Sequence, residues 1–529
     1  MTLCLCAQVV ECLENVIESN TQCINAVLDA LSSFSLEPDQ LFKVTEKIVS
    51  LLDSADPEDL PVMVRYLLQS TGDTILKDTV KSLRKSISFI SSAEDDAGHV
   101  QFSQSATSRR GEGEVLTLEA VRSAIKFRKS IATVLIQEIA SVEEAGDHMP
   151  FDVWSLVLIR SIGDAKRQAE VDRVFRSKVR SNLFQESLIR NSLVRHADAL
   201  KPYFKEFRAL AHQFVRANDT ELSSFGTMLY TLIFKVFSDD CSRQEVLSDV
   251  MAHIGAGPCM EVDAALKVLD NLVNEDGRLL KPFAVYIKSI LEYLENLATK
   301  EHVRTLFRIL AKLSVGTPSA TGGDVRLDDE VHNKITKLLH ATEGKFFQLG
   351  VIGAISVVIV LSTKTDESEM SAVGDHLETQ ATSLLSKIRS NCENNVSSSI
   401  FMFDEMADAF NIALTRGIKI KEGTRRWIDS FTEDFDQTYL PEIAEDAPVT
   451  GIHNIHKSVT VKADMNLNRP EMLVCLEVFS MIDNETDKLR KMCSFFRVMS
   501  MSQMANSGNL EEIDALLGMY SCQAFPAIP

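Results

Sequence analysis

Helix-breaking residues are scarce in this chain. Its 529 residues include 13 Pro and 22 Gly. Proline removes a backbone hydrogen-bond donor and glycine adds conformational freedom, so a low content of both permits long helical runs. A sheet-rich fold with frequent Gly and Pro turns is therefore disfavoured.

Paired cysteines are also missing. The ten Cys are scattered and none forms a C-x-x-C pair. Cys4 and Cys6 are close together, but no His or second thiol pair follows at zinc-finger spacing. Free thiols indicate a reducing compartment, the cytosol or the nucleus. Residues 1–10 lack a basic segment and a cleavage site, which argues against a signal peptide.

Long hydrophobic runs are absent as well. The longest, LGVIGAISVVIVLS at residues 349–362, falls short of the roughly 18 to 20 residues that a transmembrane helix needs. Lys345 and Lys364 lie close to its two ends. We interpret the run as a buried central helix and expect no membrane partner.

No catalytic motif is present either. The chain lacks a nucleophile elbow, a phosphate-binding loop, G-x-G-x-x-G, H-E-x-x-H and a calcium-binding loop. His453 and His456 are three residues apart without a third ligand nearby, so we interpret them as part of a surface loop. The carboxylates are dispersed, as on solvated helix faces. We expect a non-enzymatic protein without cofactor, metal or small-molecule substrate.

Helical periodicity is present along nearly the whole chain. Apolar residues recur at three- and four-residue spacing, and brief turns join helices of similar length. This organisation predicts an all-α fold, an α-solenoid of antiparallel helix pairs similar to HEAT or armadillo repeats, with a few long mobile loops. A globular all-α bundle is the weaker alternative.

Composition shifts divide the chain into five segments. We expect a helical solenoid segment over 1–91, a mobile loop over 92–114 and a second solenoid over 115–440. A mostly irregular linker over 441–470 and C-terminal helices over 471–529 complete the chain.

One segment is basic although the chain as a whole is acidic. The net charge is −20, so any contact with nucleic acid requires a basic patch. Residues 166–196 carry eight Lys and Arg against three acidic residues. On a helix, four of these cations fall within about 80° of one another and could neutralise successive phosphates of double-stranded DNA: Lys166, Arg173, Arg176 and Arg180. The alternative is a solvated face whose cations pair with acidic neighbours.

The segment AIKFRKSIA, at residues 124–132, places three cations inside an apolar helical pattern. That pattern predicts one continuous helix over 116–143. Lys129 lies at the edge of the apolar stripe, where its stem can rest on apolar surface while the amine reaches outward. Arg128 lies nearer the centre and needs a carboxylate partner. Spacing alone favours an ordinary surface lysine at position 129.

A candidate phosphorylation site lies in the loop expected over 92–114. Ser103 is followed by Gln104, the pairing that DNA-damage kinases prefer. Such pairs are common by chance, as Ser502 with Gln503 illustrates. Phosphorylation of Ser103 is therefore a hypothesis, with chance occurrence as the alternative.

Several segments, in order, resemble the Fanconi anaemia group D2 family. VRSAIKFRKSIATVLIQEI, at 121–139, is similar to the helix that carries the ubiquitin-acceptor lysine of that family. Other similar segments follow the family order and cover nearly the whole chain apart from its loops: VLDALSSFSLEPDQL (27–41), EDLPVMVRYLLQS (58–70), VDRVFRSKVRS (171–181), SSFGTMLYTLIFKVF (223–237), EVDAALKVLDNLV (261–273), GVIGAISVVIV (350–360) and GNLEEIDALLGM (508–519). Family members are much longer, so the resemblance implies that this chain corresponds to an internal portion, truncated at both ends.

The resemblance implies a nuclear, non-enzymatic scaffold in DNA interstrand-crosslink repair, associated with chromatin after DNA damage. Lys129 takes the place of the acceptor lysine, to which the Fanconi core complex ligase attaches one ubiquitin. In the family, this modification locks the protein with its paralogue, the Fanconi anaemia group I protein, as a clamp around duplex DNA. Vertebrate members have an acidic residue just before the lysine, where this chain has Arg128.

A protein of a different class is the alternative. A protein-only helical-repeat scaffold, such as a nuclear transport receptor or a phosphatase scaffold, would share the predicted fold. It predicts neither DNA affinity nor one privileged lysine.

Overall fold

Helices account for the regular structure of the chain in this computed structural model. The structure describes residues 23–34, 37–52, 55–56, 58–87, 104–315, 327–363, 371–439 and 486–506, together with residues 12 and 16. The chain divides into two compact units, residues 1–269 and 270–529. In the described ranges no β-strand forms, and Thr363 and Ile420 make an isolated antiparallel bridge.

The first unit is a succession of α-helices with two short 3-10 turns, at Ala145–Asp147 and Lys201–Tyr203. The helices are α1 (Ile24–Ser32), α2 (Pro38–Leu51), α3 (Leu60–Ser70), α4 (Leu76–Ser86), α5 (Gln104–Phe127), α6 (Lys129–Ser141), α7 (Pro150–Ser161), α8 (Ala165–Arg180), α9 (Glu186–Val194), α10 (Ala197–Leu200), α11 (Phe204–Val215), α12 (Thr220–Val236), α13 (Asp240–Ala256) and α14 (Cys259–Asp276), which continues into the second unit.

The second unit begins with 3-10 turns at Gly277–Leu279, Lys281–Phe283 and Ser289–Asn296. Its helices are α15 (Ala284–Lys288), α16 (Lys300–Val315), α17 (Asp329–Leu339), α18 (Gly344–Leu361), α19 (Ser371–Cys392), α20 (Val396–Thr415), α21 (Glu422–Tyr439) and α22 (Thr486–Asn506).

From α1 to α9, each helix of the first unit packs on the helix two positions along the chain from it. Contacts in succession join α1, α3, α5, α7 and α9 into one layer, and α2, α4, α6 and α8 into a second. Within the second unit, α16, α18, α20 and α22 stack in the same way, as do α19 and α21. Pairs that contact mainly their neighbours are the packing of an α-solenoid. The predicted fold class is confirmed.

The few prolines and many aspartates mark where helices begin. Pro38 and Pro150 occupy the first turn of α2 and α7, where a missing backbone donor has no cost. Asp219 caps α12 by accepting hydrogen bonds from the backbone amides of Glu221 (3.0 Å) and Leu222 (3.2 Å). Local sequence therefore fixes these helix starts.

The apolar run at residues 349–362 lies almost entirely in α18, which packs against α16, α17, α19 and α20. By length and composition this helix, alone in the described part of the chain, could cross a bilayer, and 67% of it is buried. A Cβ atom at Gly353 would lie 2.6 Å from the ring of Phe307 in α16. The glycine thus allows α16 to approach closely, and the buried helix predicted from this run is confirmed.

Two boundaries expected from the sequence are different in the structure. α5 begins at Gln104, so the mobile loop expected over 92–114 is wrong for residues 104–114, which are helical. The division at residue 269 falls inside the segment expected to be continuous over 115–440. The linker expected over 441–470, with His453 and His456, lies outside the described residues, and α22 is the described part of 471–529.

A buried ion pair joins the two layers of the first unit. The guanidinium of Arg84 in α4 donates to both carboxylate oxygens of Asp152 in α7, at 2.6 and 2.7 Å. His148 Nδ1 lies 2.9 Å from the same carboxylate, and the Asp152 side chain is fully buried. Burial raises the pKa of Asp152, but hydrogen bonds from Arg84 and His148 outweigh it and hold the pKa below its ordinary value.

Removing this carboxylate should leave a buried, uncompensated charge. We expect Asp152→Asn to lower the free energy of unfolding by about 3 to 5 kcal/mol, because Arg84 loses its partner. The lowered pKa of Asp152 means that its contribution is present above the ordinary value of 3.8 and is lost as the pH falls through the folded-state value. Denaturant titrations between neutral and acidic pH check both effects.

The exposed Asp78 of α4 provides the control. Asp78→Asn should leave the stability and its pH dependence nearly unchanged. An Asp152→Asn protein as stable as the unmodified chain would show that the pair is not structural.

Candidate modification site and basic face

The segment AIKFRKSIA contains a helix break. α5 ends at Phe127, Arg128 has extended backbone angles (φ −123°, ψ 106°), and α6 begins at Lys129. The Arg128 amide still donates to the carbonyl of Ala124 at 2.9 Å, and its own carbonyl accepts from Ile131 at 3.2 Å. The break therefore involves a single residue, and the continuous helix expected over 116–143 is wrong.

The side chain of Arg128 is held at the break by an earlier turn of the chain. It donates to the carbonyl of Thr71 and to the carboxylate of Asp73, in the turn between α3 and α4. Ser130 Oγ donates to the same carboxylate at 3.3 Å. The hydrogen bond and charge of Arg128 lower the pKa of Asp73. The expectation that Arg128 requires a carboxylate partner is confirmed.

Lys129 is the first residue of α6 and is exposed. Its neighbours Lys126 and Phe127 are also exposed, Phe127 to 80%. The backbone carbonyl of Lys129 accepts a hydrogen bond from Nη2 of Arg167 in α8, at 2.8 Å. The main chain at Lys129 is thus held by a neighbouring helix while the residue faces solvent.

A second bond between α6 and α8 lies at the far ends of the two helices. Nζ of the buried Lys178 donates to the carbonyl of Ala140 at 2.9 Å and to that of Val142. The bonded positions are eleven residues apart in each helix, 129 to 140 and 167 to 178. α6 and α8 therefore run in the same direction. Burial lowers the pKa of Lys178.

Sequence reasoning missed these roles of Arg167 and Lys178. Both were counted with the basic segment 166–196 as surface charge. The sequence does contain a pattern that indicates these roles. At helical spacing, Arg167 and Lys178 fall on the side of α8 that carries the buried Val171 and Val174, opposite the exposed cations.

The four cations proposed to contact DNA are all exposed on α8: Lys166, Arg173, Arg176 and Arg180. Arg180 Nε lies 2.8 Å from Asp219, the N-cap of α12, and this hydrogen bond lowers the pKa of Asp219. Among the described residues, no ion pair holds the other three. Arg180 thus pairs with an acidic neighbour, as the alternative interpretation of a solvated face expects. Lys166, Arg173 and Arg176 are available to a ligand.

Ser103 lies outside the described residues, one position before the start of α5. Its phosphorylation stays a prediction.

The junction at Arg128 can be tested by hydrogen exchange. Arg128→Ala removes the bonds to Thr71 and Asp73, so the amides around the break should exchange faster than in the unmodified chain. Global stability should change little, because the ion pair with Asp73 is solvent-exposed. Mass spectrometry of peptides that cover the junction and the α3–α4 turn provides the measurement.

The exposed Lys126 is the matched control. Lys126→Ala removes a neighbouring cation without touching the turn and should leave exchange unchanged. Equal exchange in both variants would mean that backbone preference, and not Arg128, produces the break.

Known proteins show consistent similarity to this chain. The family model described as "Fanconi anaemia protein FancD2 nuclease" matches residues 5–524. The Fanconi anemia group D2 protein homolog of Mus musculus is 29% identical over 535 residues, and the Gallus gallus protein is 26% identical over 528. These alignments cover 96% and 93% of this chain but 36% of each relative. The chain thus spans about a third of the length of its relatives, and the resemblance drawn from ordered segments is confirmed.

Among solved structures, UNC-45 from Drosophila melanogaster aligns over 98% of this chain and 68% of its own. The TM-score is 0.21 and the identity 12%, so this likeness carries no argument about the fold.

Proposed function

The chain belongs to the FancD2 family of Fanconi anaemia proteins, and we propose that it is a non-enzymatic nuclear scaffold of DNA interstrand-crosslink repair, monoubiquitinated at Lys129. The observation that carries the proposal is the exposed position of Lys129 at the first residue of α6, next to a helix break fixed by Arg128. In this proposal the modification locks the chain with its paralogue, the Fanconi anaemia group I protein, around double-stranded DNA.

An acceptor lysine must present its amine to a bulky thioester-charged enzyme. Nζ attacks the thioester carbonyl, the isopeptide bond forms, the thiolate leaves, and the amine loses a proton. Exposure gives the enzyme access to Lys129. The hydrogen bond from Arg167 to the backbone carbonyl of Lys129 fixes the position of the main chain from which the side chain extends. Because the main chain at Lys129 is already held, less conformational freedom is lost when the amine is aligned for attack.

Arg128 distinguishes this chain from the vertebrate pattern of an acidic residue before the lysine. Its side chain is engaged with Asp73 and Thr71, inside the protein's own contacts. We therefore expect the Fanconi core complex ligase to contact this position differently here.

Nuclease activity is a second candidate, favoured by the wording of the matching family model. A metal-dependent nuclease needs carboxylates that converge on the metal ions. Two of the buried carboxylates, Asp152 and Glu405, are instead bound by Arg84 and Arg304, the latter at 2.6 and 2.8 Å. This supports a structural role for them. Cleavage of labelled duplex DNA by the pure chain with Mg²⁺ or Mn²⁺ would overturn the non-enzymatic assignment.

Lys129→Arg should abolish monoubiquitination in a reconstituted reaction with the core complex ligase. Arginine keeps the charge but cannot form the isopeptide bond. Because position 129 is exposed, the melting temperature should stay within about a degree, as for most surface substitutions. Gel shift and mass spectrometry of the modified peptide provide the measurements.

Lys126→Arg is the matched control, since Lys126 is also exposed and three residues away. The Lys126→Arg variant should be monoubiquitinated as fully as the chain without a substitution. If Lys129→Arg is still ubiquitinated, or Lys126 proves to be the acceptor, the assignment of Lys129 is wrong.

A further inference from the structure

Phe127, the last residue of α5, is exposed to an unusual degree for a large apolar side chain. It is 80% exposed, the highest fraction among the exposed large hydrophobic residues in the described part of the chain. Burial of a Phe side chain is favourable, so folding leaves this contribution unused. Single apolar residues on a surface are ordinary, and exposure alone assigns no role. The position of Phe127, two residues before Lys129, provides the further observation.

The helix break allows Phe127 and Lys129 to be exposed together. On a continuous helix, residues two apart point about 160° away from each other. Here Arg128 between them has extended backbone angles, and its side chain bonds to Thr71 and Asp73. The residues on either side of Arg128 are both exposed, and their Cα atoms lie at most about 7 Å apart. A protein that covers Lys129 therefore reaches Phe127 as well.

Ubiquitin transfer requires a protein to dock at this place. The donor is a thioester on an enzyme that carries ubiquitin, so the amine of Lys129 must meet a large body. A standard protein–protein interface covers about 800 Å² of each partner, equivalent to a disc about 16 Å in radius. A transient interface of half that area still has a radius of about 11 Å. Phe127 lies inside either disc when the disc is centred on Lys129.

The other neighbours of Lys129 leave an apolar contact as the main one available. Arg128 and Ser130 adjoin Lys129 in sequence, and both bond to the turn between α3 and α4. Lys126 and Phe127 are the exposed neighbours at the end of α5. Aromatic residues are enriched in the buried centre of interfaces, where they contribute a large apolar area. Phe127 therefore suits the role of an anchor better than the cation beside it.

We propose that Phe127 is an anchor for the ubiquitin-charged conjugating enzyme, which buries the ring against an apolar patch of its own surface when it aligns the thioester with Lys129. The inference rests on the proposed function and names a recognition residue of the same site. Phe127 takes no part in bond formation, since the isopeptide bond is made by Nζ of Lys129. Its contribution is to docking, and it stabilises the docked complex and the transition state equally.

The test compares monoubiquitination of the full chain, without its paralogue, in three variants. Phe127→Ala removes the ring, Phe127→Leu keeps an apolar side chain, and Phe42→Ala is the matched control. Phe42 is 49% exposed on α2, and α4 packs between α2 and α6. Initial rates are measured against chain concentration with ubiquitin-charged enzyme and the core complex ligase. Mass spectrometry checks that Lys129 is the residue modified.

Phe127→Ala should raise KM for the chain about tenfold and leave kcat within about twofold, because the binding that is lost is uniform. Tenfold corresponds to about 1.4 kcal/mol, close to the lower end of the range for burying a Phe side chain. Phe127→Leu should recover most of the loss, and Phe42→Ala should match the chain without a substitution. Labelling of Lys129 by a small amine-reactive ester, which needs no docking, should be equal in all four chains.

Three outcomes would overturn the inference. If Phe127→Ala keeps the KM of the chain without a substitution, the ring is not an anchor. If kcat falls and ester labelling of Lys129 falls with it, Phe127 positions the lysine inside the chain and does not contact the enzyme. If KM rises only after the paralogue is added, the ring contacts the paralogue. Failure of the proposed function is distinguishable, because Lys129 would then stay unmodified even in the chain without a substitution.

Discussion

Packing on the helix two positions along the chain, from α1 to α9 and again from α16 to α22, is the constraint on which the rest of the structure depends. A single helix pair cannot bury its apolar faces, so each layer grows by adding a neighbour. Within the second layer of the first unit, α6 is held to α8 by bonds from Arg167 and Lys178 to its backbone carbonyls. Between the layers, Arg84 and Asp152 connect α4 with α7 inside the core. The position of Lys129 follows from these contacts.

Periodicity predicted much of the fold because it reports which residues each helix must bury. The helical class, the solenoid packing and the buried α18 all follow from apolar spacing. The need of Arg128 for a carboxylate could be deduced in the same way, since a charge near an apolar stripe requires a partner. The identity of that partner could not be deduced, because Asp73 lies 55 residues earlier in sequence.

The features that the sequence did not reveal share this non-local origin. At the break, Arg128 bonds to a turn between two earlier helices, and the apolar spacing continues across the break without interruption. Arg167 and Lys178 look like members of a charged segment until the carbonyls of α6 are placed beside them.

The two hydrogen bonds from α8 to backbone carbonyls of α6, made by Arg167 and Lys178, also constrain how the sequence can change over evolutionary time. Eleven residues separate the two bonded positions in each helix. One inserted or deleted residue would shift the following positions by about 1.5 Å and rotate them by about 100°. A gap in one helix could then be kept only with a compensating gap in the other. Alignments of related chains should therefore be free of isolated gaps across both helices, even where the individual residues have diverged.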